Sequence, residues 1–296
     1  MKPEIEYISN HKYPGTMAYK RFFYKNAFKA VLRKHRVKFK RRRIGRDEHF
    51  VLYPHWQKRW YSLFEVSENL YVPFTYSDFA RAVGFMEVID ELGVNFKHLL
   101  HLKSEMWFYQ DLVPKDVYVI DYLFDDVLRI KPDKAAMIGL TAINRDGEVF
   151  VKTKDHFVIK ELPKRDAIYL QEDTSNEFKG ISRIPAELLE NSKMIEIFIP
   201  SHLAIHYGYT SGDLVSVHTT PYMATLFGFD RPFIQGLCTT NLLISKLCMA
   251  GIQLKHFTIT FARPVYIRST VYLYYTDKEY QLQDKNNNVL CFGEIN

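Results

Sequence analysis

Cysteine is scarce in this sequence, and long apolar runs are missing. The 296 residues include three cysteines, Cys238, Cys248 and Cys291, which are too few and too irregularly spaced for a disulfide framework or a cysteine metal site. No stretch of 18 apolar residues is present, so no transmembrane helix is expected. The N-terminus, MKPEIEYISN, lacks the apolar region of a secretory signal. These absences favour a cytoplasmic protein with reduced thiols.

Acidic residues are scarce in the first fifty positions. Residues 1–50 contain 15 Lys and Arg against 4 Asp and Glu, whereas the remainder of the chain is net acidic. The densest basic run, 33–46, follows a span, 17–32, whose apolar residues recur at helical spacing. We therefore expect an N-terminal basic helical segment over 1–50. It would be a solvated face, or would contact nucleic acid, an anionic membrane or the phosphates of coenzyme A.

The rest of the chain divides into two halves with the same order of predicted elements. Hydrophobic residues make up 47% of the sequence and aromatic residues 15%, enough for a large core. Each half has a helix-like stretch ending in G-x-x-x-K-H, at Gly93 and at Gly251, followed by strand-like runs. The polar span 163–193 is predicted to link the halves, 51–162 and 194–296. This duplication predicts an α+β fold with one long helix and an antiparallel sheet in each half.

Chemically useful groups concentrate in residues 209–243. Asp213 follows a Ser-Gly turn, and His218 lies five residues later across a loop. A carboxylate and an imidazole at that separation can converge on a single water molecule. Gly236 lies at the start of a helix-like stretch, 235–249, where free backbone N–H groups can polarise a carbonyl oxygen.

This segment resembles the MaoC-like dehydratases and (R)-specific enoyl-CoA hydratases. Their signature is S-G-D-x-N-P-x-H, followed by alanine, G-F, proline and H-G. The matching positions are Ser211, Gly212, Asp213, His218, Ala224, Gly228, Phe229, Pro232 and Gly236. By element order the resemblance covers residues 72–296, with the first half a degenerate repeat. It implies a double hot-dog fold, in which two antiparallel sheets each wrap around a central helix.

The resemblance also implies a role for each site residue. Asp213 and His218 would activate the water that adds to a trans-2-enoyl thioester, and Gly236 would bind the thioester oxygen. The expected substrate-binding residues are Ser211, Ser216, Gln235 and Phe229. The substrate would be linked to coenzyme A or to the phosphopantetheine of an acyl carrier protein, with no further cofactor and no metal. A homodimer is compatible with this expectation.

Three positions depart from the family pattern, in two places. Val215 and Ser216 stand where the family has N-P, and Gln235 stands where it has His. A hydro-lyase is the leading hypothesis. A non-catalytic acyl-thioester-binding or assembly subunit and a hot-dog thioesterase remain open, as does a structural role for Asp213 as a turn cap beside an incidental His218. Nucleic-acid binding through residues 33–46 is least favoured, because the body of the chain is acidic.

Other candidate residues carry weaker signals. His202 and His206 are four residues apart, as zinc ligands on a helix can be, but no third ligand is evident nearby. Cys238 lacks an assignable base and is interpreted as a small core residue. His98 and His101 are compatible with the wall of an acyl tunnel, with the core or with the surface.

Overall fold

The computed structural model describes residues 5–7, 43–78, 92–175 and 189–296, with isolated residues between these ranges. The strands form one sheet, which is antiparallel except for the pairing of the first two. They are β1 (Ile5–Tyr7), β2 (Arg43–Val51), β3 (Leu99–Phe108), β4 (Val117–Phe124), β5 (Leu128–Lys131), β6 (Lys134–Arg145), β7 (Glu148–Ile159), β8 (Lys193–Ile199), β9 (His256–Phe261), β10 (Ser269–Tyr275), β11 (Glu279–Asp284) and β12 (Val289–Glu294). The α-helices described over their full length are α1 (Pro54–Leu63), α2 (Lys164–Ala167), α3 (Leu203–Ser211), α4 (Pro221–Leu226) and α5 (Gly236–Met249). The described residues of 78–92 are also helical.

The two halves of the chain contribute neighbouring blocks of strands to this sheet. The order is β2-β4-β6-β7-β3 in the first repeat and β9-β12-β11-β10-β8 in the second. The blocks meet where Lys103–Trp107 of β3 pairs with His256–Thr260 of β9. The two predicted antiparallel sheets are therefore continuous with each other, and each repeat carries one central helix, formed by the helical residues of 78–92 or by α5.

Helix α5 is the central helix of the second repeat. Ten of its residues are buried, and they lie on nearly all sides of the helix, so it has no broad solvent-facing stripe. The helix begins directly after the extended residue Gln235. It ends just before Gly251, whose φ of +91° suits the left-handed turn that follows many helices.

Buried contacts also join the helices of the two repeats. The Trp56 indole of α1 donates a hydrogen bond to the Thr210 carbonyl of α3 at 2.9 Å. The Tyr207 hydroxyl donates to the Asp78 carboxylate at 2.6 Å, and the Asn241 amide of α5 lies 3.3 Å from the same oxygen. Because all of these groups are buried, their pairing fixes how one repeat packs on the other.

The start of the chain differs from the boundary predicted at residue 50. Arg43–Val51 forms strand β2 and pairs with β4, since backbone hydrogen bonds do not depend on the charge of the side chains. Lys25, Lys29 and Leu32 are helical, and the remainder of the predicted basic helix lies outside the described residues. No helix in the described part of the chain is long and apolar enough to cross a membrane.

The predicted linker, 163–193, is only partly described. It contains the short helix α2, and β8 begins at its last residue. The Arg129 N–H donates to the Gln171 carbonyl at 2.7 Å, so the early part of this span is attached to the first repeat. Most of residues 176–188 lie outside the described residues.

Candidate active site

A cavity of about 470 Å³ is lined by residues of both repeats. Asp213, His218 and Gly236 line it from the second repeat, and His101 and Asp155 line it from the first. Most of the remaining lining residues are apolar. A mainly apolar chamber with a few convergent polar groups is typical of a small-molecule site.

The end of helix α3 places Asp213 in this cavity. Gly212 has a φ of +89°, and its N–H donates to the Gly208 carbonyl at 2.9 Å, which ends the helix and turns the chain. The Asp213 N–H donates to the Ser211 hydroxyl at 3.3 Å. One oxygen of the Asp213 carboxylate accepts from the Val215 N–H at 3.4 Å. The loop backbone therefore orients the carboxylate.

His218 ends a single 3-10 turn, Ser216–His218, which is anchored by the buried side chain of Val217. Its Nδ1 lies 3.0 Å from the Phe233 carbonyl oxygen. A carbonyl can only accept, so Nδ1 carries the hydrogen and Nε2 of the neutral ring is an acceptor. The imidazole and Phe233 rings also contact edge to face, with centroids 4.8 Å apart.

Burial shifts the pKa values of the two side chains in opposite directions. It raises the pKa of Asp213 and lowers the pKa of His218, and the attraction between the two groups opposes both shifts. His218 is therefore neutral at neutral pH. The pair can present a carboxylate oxygen and an imidazole nitrogen as two neighbouring hydrogen-bond acceptors.

Gly236 is the first residue of α5 and lines the cavity. The N–H groups of a first helical turn have no partner within the helix, so they can bind a ligand oxygen. The Gln235 side-chain amide donates to the Ala204 carbonyl at 3.0 Å and to the Asp213 carbonyl at 3.1 Å. Gln235 thereby ties the start of α5 to α3 and to the loop that carries Asp213.

The predicted substrate-binding residues occupy different positions. Phe229 lines the cavity. Ser211, Ser216 and Gln235 do not line it, which differs from the prediction that they contact the substrate. Ser211 and Gln235 are buried, and their side chains donate hydrogen bonds to backbone carbonyls. The Ser211 hydroxyl lies 2.8 Å from the backbone carbonyl oxygen of Tyr207. These two side chains therefore hold the loop and the start of α5 through backbone contacts.

The first repeat adds a polar group that the sequence interpretation did not identify. His101 Nε2 lies 3.1 Å from the Asp155 carboxylate and 2.9 Å from the Ser104 hydroxyl. From the sequence, His101 is compatible with the wall of an acyl tunnel, with the core or with the surface. No sequence pattern indicates that Asp155 belongs to the same site. Their proximity depends on strand register across β3 and β7, which no local motif encodes.

The other candidates form no site of their own. Within the described ranges, no group of three or more His, Cys, Asp or Glu side chains is arranged to hold a metal ion. His202 and His206 have ring centroids 5.0 Å apart on an exposed part of α3. Cys238 is fully buried, and burial raises the pKa of its thiol well above the ordinary value.

Several solved structures share this architecture. HtdX of Mycobacterium tuberculosis matches with a TM-score of 0.66 at 16% identity, over 86% of this chain and 99% of its own. A MaoC-like dehydratase from Phytophthora capsici matches with a TM-score of 0.61 at 14% identity, over 88% of this chain and 95% of its own. A double hot-dog protein from Mycobacterium tuberculosis matches with a TM-score of 0.55 at 8% identity, over 86% of this chain and 95% of its own. The chain has the double hot-dog fold.

The second repeat matches a known family model. Residues 186–290 match the family model of the MaoC like domain, and this range contains Asp213, His218 and Gly236. This region of the chain is therefore similar to the MaoC like domain. A search of the curated protein sequences finds no significant match.

Proposed function

We propose that this protein is a hydro-lyase that adds water to trans-2-enoyl thioesters, or removes it from (R)-3-hydroxyacyl thioesters. The observation that carries this proposal is the shared cavity of the Asp213 carboxylate, the neutral His218 ring and the first residue of α5. The family match supports dehydratase chemistry in general. The substrate and its configuration belong to the proposal.

The geometry suggests how water is activated. A water molecule has two hydrogens, and one can bond to Asp213 while the other bonds to His218 Nε2, so that a lone pair of its oxygen faces the substrate. The oxygen adds to the β-carbon, and the proton taken up by the pair is returned to the α-carbon. Negative charge develops on the thioester oxygen during this addition, and the Gly236 N–H stabilises it. The net change is one water added across the double bond.

Cationic side chains support an anionic carrier for the acyl group. Lys97, Lys160 and Arg263 all line the cavity. They can contact the phosphates of coenzyme A, or the phosphopantetheine of an acyl carrier protein. As contacts for the carrier, these three residues are better supported than the basic run 33–46, because most of that run is outside the described residues. We retain a cytoplasmic homodimer as part of the proposal.

The residues at the departing positions orient Asp213. Val215 donates its backbone N–H to the Asp213 carboxylate. Gln235 donates a hydrogen bond to the Asp213 carbonyl through its side-chain amide. Because both contacts hold Asp213 in the cavity, we favour an active enzyme over a subunit that only binds acyl thioesters.

The test is hydration of crotonyl-CoA and of longer trans-2-enoyl-CoA substrates, measured by loss of enoyl absorbance. We expect turnover by the wild type, and a loss of about a hundredfold or more in kcat for Asp213→Asn and for His218→Ala, as is usual when an acid–base group is removed. Asp277→Asn and His206→Ala change exposed residues outside this cavity and serve as matched controls. Both controls should retain wild-type turnover.

Two results would replace this function. If the wild type hydrates no chain length but binds saturated acyl-CoA, the protein is an acyl-thioester-binding subunit. If free thiol appears from acyl-CoA without loss of the enoyl group, water attacks the carbonyl carbon and the protein is a thioesterase.

A further inference from the structure

His101 is held in the cavity by contacts on three sides. Its Nε2 lies 3.1 Å from the Asp155 carboxylate, and the Ser104 hydroxyl donates to the same carboxylate oxygen at 2.6 Å. The ring stacks on Phe157 with centroids 4.7 Å apart and contacts Phe261 at 5.0 Å. The cavity is thus faced by an imidazole of fixed orientation.

A β-bulge explains this orientation. Residues three apart on a regular strand point to opposite faces. In β3 the register against β7 shifts between His101 and Lys103, so Leu102 is an extra residue, and His101 and Ser104 lie on the same face as Asp155. Bulges that re-aim a side chain are frequent next to active sites.

The free nitrogen of His101 lies beside the start of α5. A methyl group built on Gly236 would come 3.6 Å from His101 Nδ1. This nitrogen makes no hydrogen bond within the described residues, and the ring lines the cavity. A ligand oxygen bound at the Gly236 N–H would therefore be close to Nδ1.

The partners of His101 determine what Nδ1 can do. Nε2 faces a carboxylate oxygen, so it carries a hydrogen, and Nδ1 is a donor when the ring is charged. Asp155 contacts Nε2 on one side of the ring, and the Asp213 carboxylate lines the same cavity. Ser104, His101 and Asp155 do not form a Ser-His-Asp catalytic triad. Ser104 and Asp155 both contact the same ring nitrogen, Nε2, and the Ser104 hydroxyl is fully buried.

We propose that His101 is a catalytic residue, whose Nδ1–H binds the thioester oxygen together with the Gly236 N–H, and that Asp155 and Ser104 are its positioning residues. This inference rests on the proposed function in taking an acyl thioester as the ligand. It divides the site between the repeats. The second repeat activates the water, and the first repeat supplies part of the oxyanion site.

The kinetic test uses His101→Phe, which keeps an aromatic ring between Phe157 and Phe261 but removes both nitrogens. We expect kcat for enoyl thioester hydration to fall by roughly a hundredfold or more, with a smaller change in KM, as for loss of an oxyanion-hole donor. His101→Gln keeps a donor and should retain more activity than His101→Phe. Asp155→Asn should lower kcat as well, because it removes the carboxylate that holds Nε2 and orients the His101 ring.

The matched control is His256→Phe. His256 lies on the adjacent strand β9, stacks on Trp107 with centroids 5.3 Å apart and does not line the cavity. This variant should keep wild-type kcat. Wild-type kcat in folded His101→Phe and in Asp155→Asn would overturn the proposal and leave His101 as a wall of the cavity.

A binding experiment separates this inference from the proposed function. Butyryl-CoA has the thioester oxygen, and the thioether butyl-CoA lacks it. We expect the wild type to bind butyryl-CoA more tightly than butyl-CoA. His101→Phe should lose most of this preference, whereas His256→Phe should keep it. Both results are expected even if the wild type hydrates no enoyl thioester. Equal binding of the two ligands by the wild type, or binding of neither, would overturn the inference.

Discussion

At the residue scale, Asp213 and His218 combine a buried carboxylate with a neutral imidazole. The hydrogen bond from His218 Nδ1 to the Phe233 carbonyl leaves Nε2 as an acceptor, and burial keeps the ring uncharged. Asp213 is more easily protonated than an exposed aspartate, because burial disfavours its charged form. Both groups must lack the proton to hold a water molecule through its two hydrogens.

These protonation states predict an acid limb in the pH profile. We expect kcat/KM to fall as the pH decreases and the pair takes up a proton. Since burial raises the pKa of Asp213, the midpoint should lie above 3.8, the ordinary aspartate value. The measurement is kcat/KM for crotonyl-CoA against pH, with circular dichroism at each pH to verify the fold. A profile that stays flat to pH 3.8 or below would contradict this role for Asp213.

At the scale of elements, the close approach of α3 to the loop after it sets the position of Asp213. A methyl group on Gly208 would lie 2.7 Å from the Asp213 carbonyl oxygen, a distance that real contacts of this type do not reach. The same carbonyl accepts the hydrogen bond from Gln235. The helix and the loop can therefore pack at this distance only with glycine at position 208.

Gly208→Ala should displace the loop that carries Asp213. We expect a loss of about 1–3 kcal/mol in the free energy of unfolding, as for overpacking in a core, and a fall in kcat larger than the change in KM. Urea unfolding and crotonyl-CoA kinetics measure the two effects. His206→Ala places the same new residue on the exposed face of the same helix and should change neither quantity. If Gly208→Ala has wild-type kcat, the loop tolerates displacement and Asp213 is not held as tightly as this contact suggests.

The elements also show what could be predicted from the sequence. Strands β9, β11 and β12 follow an apolar and aromatic pattern with turn residues between them, and the family signature places Asp213, His218 and Gly236 around one cavity. Strand β2 was missed because its first residues belong to the basic run 33–46, which is typical of a solvated tail, although its backbone pairs with β4.

The contribution of the first repeat could not be predicted for a different reason. His101 and Asp155 meet only through the register of β3 against β7 and the bulge at Leu102. Register is a property of paired strands, and a bulge changes the face of every later side chain on its strand. Similarly, the family pattern identifies Ser211 as a match and Gln235 as a departure, but it does not reveal that both side chains are buried against the backbone.

At the scale of the whole molecule, the two repeats share one sheet and one cavity. β3 of the first repeat pairs with β9 of the second, and α1 packs on α3 through the hydrogen bond from Trp56. Unfolding either repeat alone would expose a strand edge and leave Asp78 without the donors it receives from Tyr207 and Asn241. We therefore expect the repeats to unfold together.

The placement of tryptophan and cysteine makes this cooperativity measurable. The three tryptophans, Trp56, Trp60 and Trp107, lie in the first repeat, and the three cysteines, Cys238, Cys248 and Cys291, lie in the second. All three thiols are buried, and burial raises their pKa values, that of Cys248 to about 12, so they stay unreactive until the second repeat opens. In urea, we expect tryptophan fluorescence and thiol labelling to report the same midpoint, and far-UV circular dichroism to coincide with both. Thiol labelling at a clearly lower urea concentration than the change in fluorescence would mean that the second repeat opens independently, and that the contacts between the repeats contribute less stability than their burial indicates.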